Sequence, residues 1–179
     1  MAKKKAYNEA NKEEIAAKKK AYYEANKEEI AAKAKVYVEA NKKKRTAYDT
    51  ERRNTDPLFK LKGDIRNMIN KSFKRQGYSK KSKTADILGC SFEELESHLG
   101  EKTSNDHTDH IIPLTWAITE DEIYTLNHYS NLQLLTAEEN IAKGNRFTRL
   151  ENVEKVLSLH PHPKRIQEIL DRNQDKILV

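Results

Sequence analysis

Apolar positions fall into two regimes along the chain. In the first 50 residues they are sparse and periodic. The segments "AYNEANKEEIAAKKK" (6–20), "AYYEANKEEIAAKAK" (21–35) and "VYVEANKKKRTAYDT" (36–50) repeat every 15 residues, with Tyr7, Ile15, Tyr22, Ile30 and Tyr37 at alternating steps of 8 and 7. Fifteen residues over four helical turns lets an apolar stripe drift slowly around the surface. Alanine, glutamate and lysine favour helix, and no glycine or proline interrupts them, so the pattern predicts one long helix of about 45 residues and about 68 Å. From residue 56 the apolar positions become denser. Asp56 can cap a helix and Pro57 suits its first turn. Leu58, Leu61, Ile65, Met68, Ile69 and Phe73 then recur at helical spacing up to Gly77.

Further along, Ser91 with Glu94, Thr119 with Glu122 and Thr136 with Glu139 form capping-box signatures that open short helices. "HIIPL" and "NLQLL" read as short strands. Helices are expected around 149–159 and 163–175, separated by the rigid turn "HPHP". The predicted class is α+β, mostly helical, with a repetitive basic helical arm over 1–55 and a folded domain over 56–179.

Charge changes this picture. Of the 179 residues 35% are charged and 36% hydrophobic, so the core is small. Residues 1–45 hold 14 Lys/Arg against 7 Asp/Glu, whereas the remaining 134 hold 20 against 21. A basic arm on a near-neutral body suits a polyanion, most simply nucleic acid. Three readings stay open for the arm: a solvated helix held by local charge pairs, a DNA contact through its lysines, or helix-mediated protein contact through residues 1–50. The single cysteine, Cys90, excludes an internal disulfide framework and a multi-cysteine zinc site, and reads as a small buried hydrophobe. "MAKKKAYNEA" lacks the apolar centre of a signal peptide and no run reaches membrane-spanning length, so a cytoplasmic protein without membrane contact is expected.

The chemistry gathers in "NDHTDHIIPLTW" (105–116), where two histidines and two aspartates sit against an apolar run. Asp109 and His110 lead the first predicted strand, Asn131 leads the second, and Asn140 lies on the capped helix that follows. An aspartate oxygen and an asparagine oxygen suit one hard divalent cation such as Mg2+. A neutral imidazole beside it can take a proton from water, and Asn131 can accept a hydrogen bond from the other ring nitrogen to fix the tautomer. These parts suffice for phosphodiester hydrolysis.

The ordered set, together with "ILGCSFEELESHL", "HTDHIIPL" and "HYSNLQLLTAEENIAKGNR", resembles the HNH branch of the His-Me finger (ββα-metal) nucleases. Within that branch it looks like the phage-type and homing-endonuclease-like proteins. The resemblance covers roughly residues 58–146, with the ββα-metal core at about 105–146. It implies a metal-dependent DNA endonuclease with His110 as general base, Asp109 as metal ligand and Asn131 as the central asparagine that orients the base. Asn140 falls at the third letter, where many members carry histidine. This H-N-N variant favours Mg2+ or Mn2+ over zinc, because an amide oxygen is a harder ligand than imidazole. The alternative is a nucleic-acid-binding protein on the same fold that does not cut.

Lys143 lies one turn after Asn140 and is expected to meet a phosphate, as is Arg146, although Gly144 ends the helix before it. In the basic run from Lys60 to Lys83, Arg66, Lys74 and Arg75 are expected phosphate contacts. His107 shares a strand face with Asp109, and reads equally as a neighbour of the metal or phosphate and as a structural hydrogen-bond partner. His128 reads as a packed or capping residue, His98 as a cation at a helix end, and Trp116 as a core anchor.

Overall fold

The computed structural model describes residues 7–103, 105–145 and 150–177. The chain divides into two compact units, Met1–Arg52 and Arg53–Val179. The described residues are mostly helical and contain one two-stranded antiparallel sheet, an α+β composition. No helix among them is long and apolar enough to cross a membrane.

In the amino-terminal unit, α1 (Lys12–Ala25) and α2 (Lys27–Thr55) carry no buried residue. The single long helix expected from the repeats is therefore interrupted. Asn11, Asn26 and Asn41 each donate a side-chain Nδ2–H to the carbonyl four residues earlier, of Tyr7, Tyr22 and Tyr37, at 2.8, 2.7 and 2.8 Å. A side chain that competes for this carbonyl loosens the helix. At Asn11 and Asn26, in the first two repeats, the backbone relaxes to φ/ψ of −114/19° and −117/16°, and the helix is interrupted there. Asn41 makes the same bond inside α2 without ending it.

The second unit is built around α3 (Pro57–Arg75). Asp56 Oδ1 accepts the Phe59 N–H at 2.8 Å, Pro57 fills the first turn, and Leu61, Ile65, Ile69 and Phe73 form a buried stripe. After it come α4 (Thr84–Leu88) and α5 (Phe92–Leu99), the latter opened by the reciprocal Ser91–Glu94 capping box. Strand β1 (Asp106–His110) leads through a turn at Leu114–Trp116 to α6 (Glu120–Leu126). A turn at Tyr129–Asn131 enters β2 (Leu132–Thr136), which runs directly into α7 (Ala137–Lys143) through the Thr136–Glu139 capping box. The chain closes with α8 (Leu150–Leu159) and α9 (Pro163–Arg172).

The strands pair with Asp106 opposite Thr136 and His110 opposite Leu132, and α7 packs across both. The first strand thus lies four residues earlier than "HIIPL" (110–114) predicts and shares only His110 with it. Its ladder is the polar "DHTDH", and Ile111 and Ile112 follow it as buried residues in a bend. Pro113 lacks the N–H a ladder needs, so the apolar run turns into the core and does not extend the sheet. Trp116 is buried there as expected. Arg172 pins this corner: its guanidinium forks onto the Glu122 carboxylate (3.1 and 2.8 Å) and also donates to the Trp116 carbonyl (3.1 Å). This fork–fork geometry gives an ion pair between α9 and α6 both direction and strength.

Candidate active site

His110 closes β1 with its ring almost fully buried. Its Nε2 lies 3.1 Å from Asn127 Oδ1. The orientation of that amide is decided by its other contacts. Asn127 Nδ2 donates to the Ile123 carbonyl (2.8 Å) and to Ser72 Oγ (2.9 Å). Ser72 spends its own hydrogen on the Ile69 carbonyl (2.7 Å), so only its lone pairs face Asn127. Asn127 Oδ1 is therefore an acceptor, and His110 Nε2 carries the hydrogen. Among the described residues Nδ1 has no hydrogen-bond partner, and no buried side-chain nitrogen or oxygen is left without one, so Nδ1 opens to solvent as a bare lone pair. Burial lowers the His110 pKa, and the positive charge of Lys143 adds to this, against the Asn127 hydrogen bond and the Asp109 carboxylate.

Asn131 does not touch this imidazole. It is fully buried, accepts the Ile112 N–H on Oδ1 (2.8 Å), and donates from Nδ2 to the carbonyls of Ile112 (3.1 Å) and Leu126 (2.8 Å). Its own carbonyl accepts the Ile111 N–H at 2.8 Å. The expectation that Asn131 fixes the histidine tautomer is thus corrected. It clamps the bend after β1 to the end of α6, and the imidazole is held by Asn127. Asn127 also lies in the "NHYSN" run, but sequence offered no means of choosing between the two amides.

Asp109 precedes His110 on the strand. Its Oδ2 accepts from Lys143 Nζ at 2.9 Å and from Gln133 Nε2 at 3.4 Å, and Gln133 is braced in turn by Asn152 (3.3 Å). Oδ1 has no partner among the described residues and is not a buried orphan. Lys143 was expected on a phosphate. It is instead 4% exposed and paired with Asp109, because the last turn of α7 faces the sheet. Asn140 is half-buried one turn before Lys143, on the same helical face, and its side chain has no hydrogen-bond partner among the described residues. Arg146 lies outside the described residues.

His107 is exposed and lines a cleft of about 300 Å3 with Lys60, Asp64 and Lys102. On α3, Arg66 is exposed with its guanidinium 5.5 Å from the Phe92 ring centre, and Lys62 pairs with Glu93. Lys71, Lys74 and Arg75 are exposed on the stretch of α3 whose inner face carries Ser72. Gln76 Nε2 ties this end of α3 to the Leu114 carbonyl at 3.1 Å.

The remaining histidines form a separate cluster. His160 Nε2–H donates to the Thr125 carbonyl (3.1 Å) and Nδ1 accepts the His162 N–H (2.9 Å), so both ring nitrogens are committed and the ring is neutral. His128 stacks edge-on against it with centroids 4.5 Å apart, and its Nδ1 accepts the Ser130 N–H, the capping role expected from sequence. The other edge of His128 sits on Gly89, where an added Cβ would lie 2.5 Å from Nε2 and φ is +73°. Only glycine fits there.

His98 packs edge-on against Tyr129, and burial followed by the charge of Lys155 lowers its pKa, so it is not the helix-end cation expected. Burial lowers the His160 pKa too, and holds His128 down at about 4, with the charges of His160, His162 and His98 adding to it. Because the folded values lie below the unfolded ones, this stability is complete above about pH 6.5 and is lost as pH falls from there toward 4. Urea titrations at pH 7.5 and pH 4.5 are expected to differ by about 2 kcal/mol, with Gly89 and its neighbours losing amide protection first.

Among the described residues no three His, Cys, Asp or Glu side chains gather as a metal-binding group. Burial, with Glu94 nearby, raises the Cys90 thiol to about 11, which rules it out as a thiolate at neutral pH. Asp109 on β1 and Asn140 on α7, which packs on that strand, carry one carboxylate and one amide oxygen, donor types suited to Mg2+ or Mn2+. Division of the Asp109 carboxylate, Oδ2 to Lys143 and Oδ1 open, leaves one oxygen for such an ion. Comparison of the chain with protein-family models, curated proteins and solved structures found no match.

Proposed function

We propose that the unit Arg53–Val179 is a metal-dependent DNA endonuclease of the ββα-metal type, which hydrolyses phosphodiester bonds with His110 as general base. The observation that carries this reading is the bare, solvent-facing Nδ1 of a neutral His110, a residue next in the chain to Asp109, whose Oδ1 has no partner among the described residues. Buried imidazoles usually have both nitrogens satisfied, as His160 does here.

In this reading His110 Nδ1 accepts a proton from the attacking water and the buried Nε2–H stays on Asn127. Asp109 and Asn140 hold the single Mg2+ or Mn2+ from the strand and the helix. When bound, that ion supplies the Lewis acidity that offsets charge on the phosphate and on the leaving 3′-oxygen. Lys143 balances the Asp109 charge and so keeps the site from repelling a polyanion. Lys71, Lys74, Arg75 and Arg66 supply exposed positive charge for the DNA backbone on the helix that backs the Asn127–His110 pair.

The test is incubation of supercoiled plasmid with the protein across a series of Mg2+, Mn2+, Ca2+ and Zn2+, with a chelator control. Nicking or linearisation in Mg2+ or Mn2+ that the chelator stops is the expected result. Salt-sensitive DNA binding with no cleavage in any metal would replace the enzyme by a non-cleaving nucleic-acid-binding domain.

A further inference from the structure

The arm's stripe of exposed tyrosines, the His128–His160 stack and the buried amide of Asn127 lie outside the roles assigned above. Nothing in the structure shows what covers the stripe, and the nitrogens of His160 are already consumed. Asn127 carries more. It is fully buried, yet it sits at the carboxyl end of α6, where its amide was not needed for capping because its own N–H already bonds the Ile123 carbonyl at 3.1 Å.

We infer that Asn127 is the positioning residue that fixes the tautomer of His110, through a one-directional hydrogen-bond chain that begins at Ile69 and ends at the imidazole. This inference rests on the nuclease reading for its functional meaning, but the tautomer itself does not.

Each link allows only one direction. The Ile69 carbonyl can only accept, so Ser72 Oγ–H points to it. Ser72 then offers lone pairs, and the Ile123 carbonyl can offer nothing else. Both amide hydrogens of Asn127 are drawn to these two acceptors. A flipped amide would set Oδ1 against the Ile123 carbonyl oxygen, two acceptors 2.8 Å apart in a site without water access, which the low dielectric makes costly. Oδ1 is thereby aimed at His110 Nε2, and the hydrogen must reside on that nitrogen. With Nε2–H buried, the only lone pair of the ring is Nδ1.

The chain links three elements distant in sequence, α3, α6 and the end of β1, so the tautomer depends on their packing together. Two amides, Asn127 and Asn131, divide the labour: one orients the ring and the other holds the backbone that carries it.

The experiment uses the full chain labelled with 15N-histidine, with His110 assigned from a His110→Gln sample, at a pH where the ring is neutral. Nitrogen shifts distinguish a protonated ring nitrogen from a bare one. The wild-type ring is expected to carry its hydrogen on Nε2. In Asn127→Ala the Nδ1–H form is expected to appear. Ser72→Ala keeps the Nε2–H form, because Ile123 still orients the amide.

In plasmid cleavage, Asn127→Ala should lose about 10²-fold in kcat with KM changed less than about threefold, and Ser72→Ala should stay close to wild type. A wild-type ring protonated on Nδ1, an unchanged tautomer in Asn127→Ala, or wild-type kcat in that variant overturns the inference. If Asn127→Ala does not fold, the wild-type spectrum and that of Ser72→Ala decide it. A correct tautomer in a protein that cleaves nothing overturns the nuclease reading and leaves the tautomer assignment standing.

Discussion

His110→Ala is expected to reduce metal-dependent plasmid nicking by about 10²- to 10⁴-fold, the range that a positioned general base contributes. The substitution removes the imidazole lone pair that would take the proton, while Asp109, Asn140 and Lys143 remain to bind. DNA affinity and its salt dependence should therefore be retained, since neither rests on a neutral ring. Alanine also strips Asn127 Oδ1 of its donor inside the core. An orphaned buried acceptor costs about 1–3 kcal/mol, so the comparison has to be made well below the melting temperature of the variant, with circular dichroism on the same sample. Equal cleavage by wild type and His110→Ala would remove histidine from the reaction, and with it the reading of the site.

Asn131→Ala is expected to be the most destabilising polar substitution in the second unit, at about 3–5 kcal/mol in urea unfolding. Three hydrogen bonds are lost and a cavity is left in a fully buried position. The more telling variant is Asn131→Asp. A residue that merely accepted a hydrogen bond from an imidazole would tolerate aspartate. Asn131 instead donates to two carbonyls, and a carboxylate oxygen there would face both with no hydrogen to offer. Asn131→Asp should thus be about as destabilising as alanine, and a variant with near wild-type stability would show that the clamp is not needed.

Asn131 marks where reading the chain failed. "DH", "N" and "N" in order are visible as letters, and their residue types point to one hard cation and one base. The letters do not say which amide meets the ring. Asn127 and Asn131 are four residues apart, and either side chain is chemically able to accept from Nε2. The choice was made by the 3-10 turn at Tyr129–Asn131, which swings Asn131 toward Ile112 and Leu126 and leaves Asn127 facing α3. Lys143 failed for a related reason. Helical spacing put it correctly on the Asn140 face, but whether that face meets solvent or the sheet is decided by how α7 packs on β1.

The strand boundary shows the same division. Ile111 and Ile112 have strong strand propensity, and their apolar character was read as a ladder. Their burial is real, but it is satisfied by the core below the bend, with Asn131 supplying the backbone partners that a neighbouring strand would otherwise give.

By itself, the sequence determined whatever is settled within about four residues. The Asp56–Pro57 start of α3, the capping boxes at Ser91 and Thr136 and the buried stripe of α3 all depend on neighbours along the chain. So do the side-chain bonds of Asn11 and Asn26 to the carbonyls four residues earlier. Tertiary structure alone decided the tautomer of His110, the burial of Lys143 and the neutrality of the His128–His160 stack. Each of these turns on a donor or acceptor 17 to 55 residues away, and direction in a hydrogen bond is set by the partner, which local sequence cannot specify.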